Sequence, residues 1–92
     1  MTHPLTPETP DADLVSRAKA GELDAFEALT NRYEQRVYGL ARRMLRQEQD
    51  AEDVTQQTFL SVLENLEGFR GEASFSTWVL RIASHEIGRA HV

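Results

Sequence analysis

All three prolines of this chain fall within its first ten residues, and beyond them no proline interrupts a helical hydrophobic period. Proline removes a backbone donor and clashes with the preceding turn, so its confinement to one end leaves the rest of the chain open to long helices. Apolar residues then recur in steps of three and four, the spacing of one helical face, and no stretch alternates as a half-buried strand does. No internal repeat or low-complexity segment breaks the pattern. The expected fold is all-α, a compact bundle of about four helices built as one domain. Residues 1–10 read as a flexible N-terminal tail with little to bury.

Asp11 stands where it can cap a short helix, DADLVSRAKA, which Gly21 ends. A long helix follows from Leu23 to Arg46, with Phe26, Leu29, Tyr33, Val37, Leu40, Ala41 and Met44 along one face. Gly39 lies inside it and lowers its stability by about 1 kcal/mol relative to Ala. The expected return is close approach of a neighbouring helix. Asp50 starts a third helix, with Asp53 adding negative charge to its first turn. At about 100° per residue, Ala51, Thr55, Thr58, Phe59, Val62 and Leu66 fall on one side of it. Asp53, Gln56, Gln57, Leu60 and Glu64 fall on the other. Gly68 and Gly71 bracket a connection, Phe69-Arg70. Ser74 or Ser76 then caps a fourth helix with the core stripe Phe75, Val79 and Ile82.

The net charge of −5 conceals a segregated distribution. Arg32, Arg36, Arg42, Arg43 and Arg46 crowd one segment with Glu34 as the lone acid. The next segment carries Glu48, Asp50, Glu52, Asp53, Glu64 and Glu67 with no base. Such a chain can present an acidic face to a basic protein and a basic face to phosphate. Equally, the two blocks can be solvated helices whose charges pair within the fold. The second-helix arginines suit internal or solvent-facing roles better than phosphate contact.

With no cysteine, a disulfide framework and a thiolate metal site are excluded. His85 and His91 are six apart on a helix and face different directions, a poor metal pair. Serines lack a partnered histidine at recognisable spacing, no glycine-rich phosphate loop follows a strand, and no cofactor or enzymatic activity is implied. No apolar run approaches the roughly 20 residues that span a bilayer, and the N-terminus lacks a secretory pattern. No membrane partner is expected, and the cytoplasm is the default location.

Two features carry binding chemistry. On the third helix, Asp53, Gln56, Gln57 and Leu60 combine acceptors, amides and apolar area, a stripe suited to a basic helical partner. By itself it also suits a solvated face with one stray leucine. In the loop and fourth helix, Phe69, Arg70, Phe75 and Trp78 supply ring faces beside a cation. Unstacked single-strand bases need such platforms, each stack being worth about 1–3 kcal/mol. Phe75 reads as core, and Trp78 as packed on one edge and open on the other. Trp78, Arg81 and His85 share one flank.

The stretch DAEDVTQQTFLSVLENLEGFRGEASFSTWVLRIA, Asp50 to Ala83, closely resembles the second conserved region of bacterial RNA polymerase sigma factors of the extracytoplasmic-function group. The resemblance runs from Asp11 to His85 and is most specific in its middle third. In that family the helix with the D-A-E-D-V-T-Q pattern docks on the coiled-coil clamp helices of the polymerase's largest subunit. By position this implies polymerase contacts at Asp53, Gln56, Gln57 and Leu60. The family's loop and following helix open the promoter minus-ten element and hold a flipped base of the non-template strand. Those duties would fall on Phe69, Arg70, Ser74, Trp78, Arg81 and His85. Many members carry Asn where this chain has His85, and His does not reproduce the paired donor and acceptor of Asn. An anti-sigma factor is a further partner that the resemblance admits. The competing reading is a helical protein-interaction adaptor with no DNA role.

The last seven residues, EIGRAHV, match a forward-frame translation of a common sequencing adapter. Residues 86–92 are therefore expected to be a non-native read-through tail on a C-terminally truncated sequence, and the native domain to occupy residues 11–85.

Overall fold

A computed structural model describes residues 4–90. Four α-helices, α1 (Asp11–Lys19), α2 (Leu23–Met44), α3 (Glu48–Asn65) and α4 (Phe75–Ala90), are joined by short connections, with a 3₁₀ turn at Leu66–Gly68 after α3. The all-α bundle matches the expectation from the period. α2 is the spine, packed by α1, α3 and α4, while α3 is sandwiched between α2 and α4.

Two apolar clusters hold the bundle. The larger gathers Leu14, Leu29, Val37, Phe59, Val62, Leu66, Phe69, Phe75 and Val79, with Trp78 and Tyr33 packed against it. The smaller joins Ala41, Leu45, Ala51, Val54 and Ile87. All six residues placed on the inner stripe of α3 are buried. Thr55 and Thr58 satisfy their hydroxyls by donating to the Ala51 and Val54 carbonyls, at 2.8 and 2.7 Å. That bond is what allows a hydroxyl to sit in a core.

Several local expectations are corrected. Asp11 is not a cap. Pro10 precedes the helix without a side-chain cap bond, and the Asp11 carboxylate instead accepts from Arg32 Nη1 at 2.8 Å and from the Tyr33 hydroxyl. It ties α1 to α2. The N-terminal segment is not a loose tail where it is described. Thr6 and Thr9 close a turn on each other, Leu5 packs on the core, and Arg32 donates to the Thr6 and Pro7 carbonyls at 3.3 and 3.1 Å. Residues 1–3 of that segment lie outside the described residues. Met44 ends α2 and is exposed, and Leu45, just past the helix, is buried in its place. Gly39 admits no close neighbour, since a Cβ there would meet nothing within 4 Å. Ile82 is half-buried, and Ala83 fills the core position beside it.

α4 passes residue 85 without a break and reaches Ala90, with Ile87 buried in the smaller cluster. Glu86 is the misfit in this stretch. Its side chain is 4% exposed, Arg89 reaches only Oε1, and Oε2 is buried without a partner among the described residues.

Candidate nucleic-acid and polymerase interface

The outer side of α3 forms the first surface. Asp53, Gln56, Gln57 and Leu60 are all exposed, as the period predicts for residues opposite the buried stripe. Gln49 donates to Asp53 Oδ1 at 2.9 Å and holds that carboxylate on the helix surface. Leu60 and Leu63 are 54% and 44% exposed, unusual for leucines on a helix whose other face is packed. They border an open groove of about 680 Å³ between α2 and α3, lined also by Phe26, Tyr38, Glu34, Glu52 and Gln56. The sequence reading missed the groove and Leu63. The spacing Gln56-Leu60-Leu63, a step of four then three, was the available signal.

The second surface begins where the 3₁₀ turn ends. The Phe69 N–H closes that turn on the Leu66 carbonyl at 3.1 Å, and the chain then bends through Arg70–Ala73. Gly71 takes φ 77°, a left-handed conformation that glycine adopts without a Cβ penalty. Ser74 precedes α4, its Oγ accepting from the Thr77 N–H at 3.2 Å, so of the two expected caps, Ser74 and Ser76, the first is the one used. The bond also occupies Ser74 with a structural duty.

Phe69, Phe75, Trp78 and Tyr33 form a continuous aromatic cluster. Phe69 packs edge-on against Phe75 at 5.7 Å and lies 4.8 Å from Trp78, centroid to centroid. Tyr33 meets Phe75 at 5.7 Å. Phe69 is buried, which corrects its reading as an open stacking platform. Its ring supports Trp78 from below. Trp78 is half-buried, and Arg70, Ser74, Arg81 and His85 are exposed. Burial and the Asp11 acceptor together push the Tyr33 hydroxyl from the usual 10 up to about 12.

Arg70 and Arg81 have no carboxylate partner among the described residues. Among the described residues, the arginines of α2, and Arg46 just beyond its end, do not pair with α3 either. Arg32 goes to Asp11, Arg36 lies 5.9 Å from the centroid of the Tyr33 ring, and Arg42, Arg43 and Arg46 face solvent. His91 lies outside the described residues, and no group of metal-ligating side chains occurs among the described ones. No helix among them is long and apolar enough to cross a membrane.

An all-α bundle with a capped, glycine-turned aromatic loop matches a known class. The Sigma-70 region 2 family covers residues 29–91, and the chain belongs to it. It is 38% identical over 73 residues to the RNA polymerase sigma-H factor of Pseudomonas aeruginosa, a match over 79% of this chain and 38% of that relative. It is 41% identical over 73 residues to the ECF RNA polymerase sigma-E factor of Haemophilus influenzae, with the same coverage of 79% and 38%. The chain thus spans less than half the length of these relatives. An NMR structure of an engineered region 2 of sigmaE in complex with GTAAAA is similar at a TM-score of 0.83 and 32% identity, covering 92% of this chain and 88% of that one.

Proposed function

We propose that this chain is the part of an extracytoplasmic-function-type sigma factor that docks on core RNA polymerase and engages the non-template strand of the promoter minus-ten element. The exposed face of α3 carries the docking. Asp53, Gln56 and Gln57 offer acceptors and amides to a basic helix of the polymerase clamp, and Leu60 adds apolar area beside the α2–α3 groove. The loop and α4 carry the strand. Trp78 presents one ring face to an unstacked base, Phe69 supports it, and Arg70 and Arg81 meet phosphates. Opening the duplex draws on binding energy, because capture of a base offsets the energy of unstacking it. Bond-making chemistry belongs to the polymerase. The same docking face would serve an anti-sigma factor, which could compete with polymerase for it. The whole reading applies in the cytoplasm, where polymerase works.

The observation that most favours this reading over a pure interaction adaptor is the loop. A half-buried tryptophan packed on a buried phenylalanine, with exposed Arg70 and Arg81 that have no carboxylate partner among the described residues, supplies the ring face and cations that an unstacked single strand needs. The docking half is tested by Asp53→Arg combined with Gln57→Ala. Both sites are exposed, so folding stability should stay within about 0.5 kcal/mol of the parent. Affinity for core polymerase in a pull-down should fall. Unchanged capture by polymerase would remove the docking assignment.

A further inference from the structure

The strand-engaging loop hangs between two anchors, and one of them is a residue of α1. The chain from Arg70 to Ala73 has no hydrogen bond of its own among the described residues, and Ser74 fixes its downstream end. Upstream, Lys19 Nζ donates to the backbone carbonyl of Phe69, fifty residues away in sequence. That carbonyl is the last group of the chain held before the bend.

The position of Lys19 is itself built in. After α1 the Gly21 N–H donates to the Ala18 carbonyl and the Glu22 N–H to the Arg17 carbonyl, each at 3.0 Å. This paired closure, with Gly21 at φ 99°, is the Schellman arrangement, and it stops α1 at a fixed residue. The Arg17 guanidinium pairs with the Glu22 carboxylate at 2.8 Å across the same turn. Lys19, the last helical residue, therefore leaves α1 in a defined direction toward the loop. A charged donor on a neutral carbonyl makes a stronger bond than a neutral pair.

We infer that Lys19 is a positioning residue for the loop: it fixes the Phe69 carbonyl, and through Phe69 the Trp78 ring and the approach of Arg70, without itself touching DNA. The inference rests on the proposed strand-binding function. It adds that α1, which carries none of the strand contacts, sets how well the loop is pre-organised. Pre-organisation acts on affinity by removing an ordering penalty at binding.

The test compares Lys19→Met, which keeps the aliphatic stem and loses the donor, with Lys19→Arg, which keeps a donor. Lys19→Gln, too short to reach the carbonyl, serves as a second loss variant. Two readouts are taken: backbone NMR order parameters of Arg70–Glu72, and anisotropy of a labelled single-stranded GTAAAA hexamer over a salt series. Lys19→Met should drop the loop order parameters toward the flexible range, below about 0.6. It should also weaken hexamer binding about three- to tenfold, the scale of one ordinary hydrogen bond, since Lys19 is exposed. Lys19→Arg should restore both, and melting of all variants should stay close to the parent. The slope of log affinity against log salt should be unchanged. A slope shallower by about 0.7 makes Lys19 a direct phosphate contact and overturns the inference. Parental loop order and parental affinity in Lys19→Met overturn it as well. If the parent chain binds no single strand at any salt, the proposed function fails. The order parameters then decide separately whether the tether exists.

Discussion

Replacing Glu86 with leucine should stabilise this domain markedly. The glutamate side chain is 4% exposed, only one of its oxygens has a partner among the described residues, and that partner, Arg89, is 70% exposed. A buried acceptor left unsatisfied costs about 1–3 kcal/mol, and an ion pair with one end in solvent returns about 0–1 kcal/mol. Asp50 and Asp53 line the same shallow cleft and add like charge beside the carboxylate. Leucine is close in volume, so the exchange needs little repacking. The balance is a gain of about 1–2 kcal/mol, and in a domain of this size about 4–8 °C of melting temperature accompanies each kcal/mol. Thermal melts followed by circular dichroism should therefore show a rise of about 5–15 °C. Glu86→Gln, which removes charge and keeps a polar head, should gain less than half as much. An unchanged or lowered melting temperature for Glu86→Leu would refute the reasoning, because it would mean that the carboxylate is satisfied where it sits.

Phe59 is buried on the inner side of α3, so Phe59→Ala should lower stability by about 3–5 kcal/mol. A melt within a few degrees of the parent would reverse the assignment of faces on that helix. The Tyr33 hydroxyl is raised from 10 to about 12 by burial first and by its bond to Asp11 second. The folded state then keeps a proton that the unfolded chain loses. The resulting stabilisation is whole below about pH 10 and is lost as pH rises toward 12, so denaturant midpoints should fall across that window. Tyr33→Phe should flatten the fall, and parallel curves for the two proteins would contradict the raised hydroxyl.

The period along α3 was legible because the helix is sandwiched. Every residue that its spacing put inward is buried, and Val54 joins them since two packed neighbours cover a wider arc than a single stripe. Ser74 was legible for a different reason, as a cap is a local event decided within one turn. The failures are tertiary. Nothing near Asp11 in sequence shows that Arg32 and Tyr33 will claim its carboxylate. Likewise, Phe69 and Trp78 carry similar chemistry in the sequence. Only the fold decides that Phe69 goes under and Trp78 stays half-open, because the 3₁₀ turn directs Phe69 inward onto Phe75. Met44 lay on the apolar stripe of α2, but that stripe runs past the point where the helix has neighbours to cover it.

The central claim is that stacking on Trp78, rather than charge alone, holds a single strand against this loop. It is tested most directly by fluorescence-anisotropy titration of a labelled non-template minus-ten strand with the parent, Trp78→Ala and Arg81→Ala. Loss of one base stack, worth about 1–3 kcal/mol, should weaken Trp78→Ala about 5- to 150-fold. Arg81→Ala should lose less, with a shallower dependence on salt. Should Arg81→Ala abolish binding while Trp78→Ala leaves it intact, the loop is a phosphate-contact surface and the base-stacking account is contradicted.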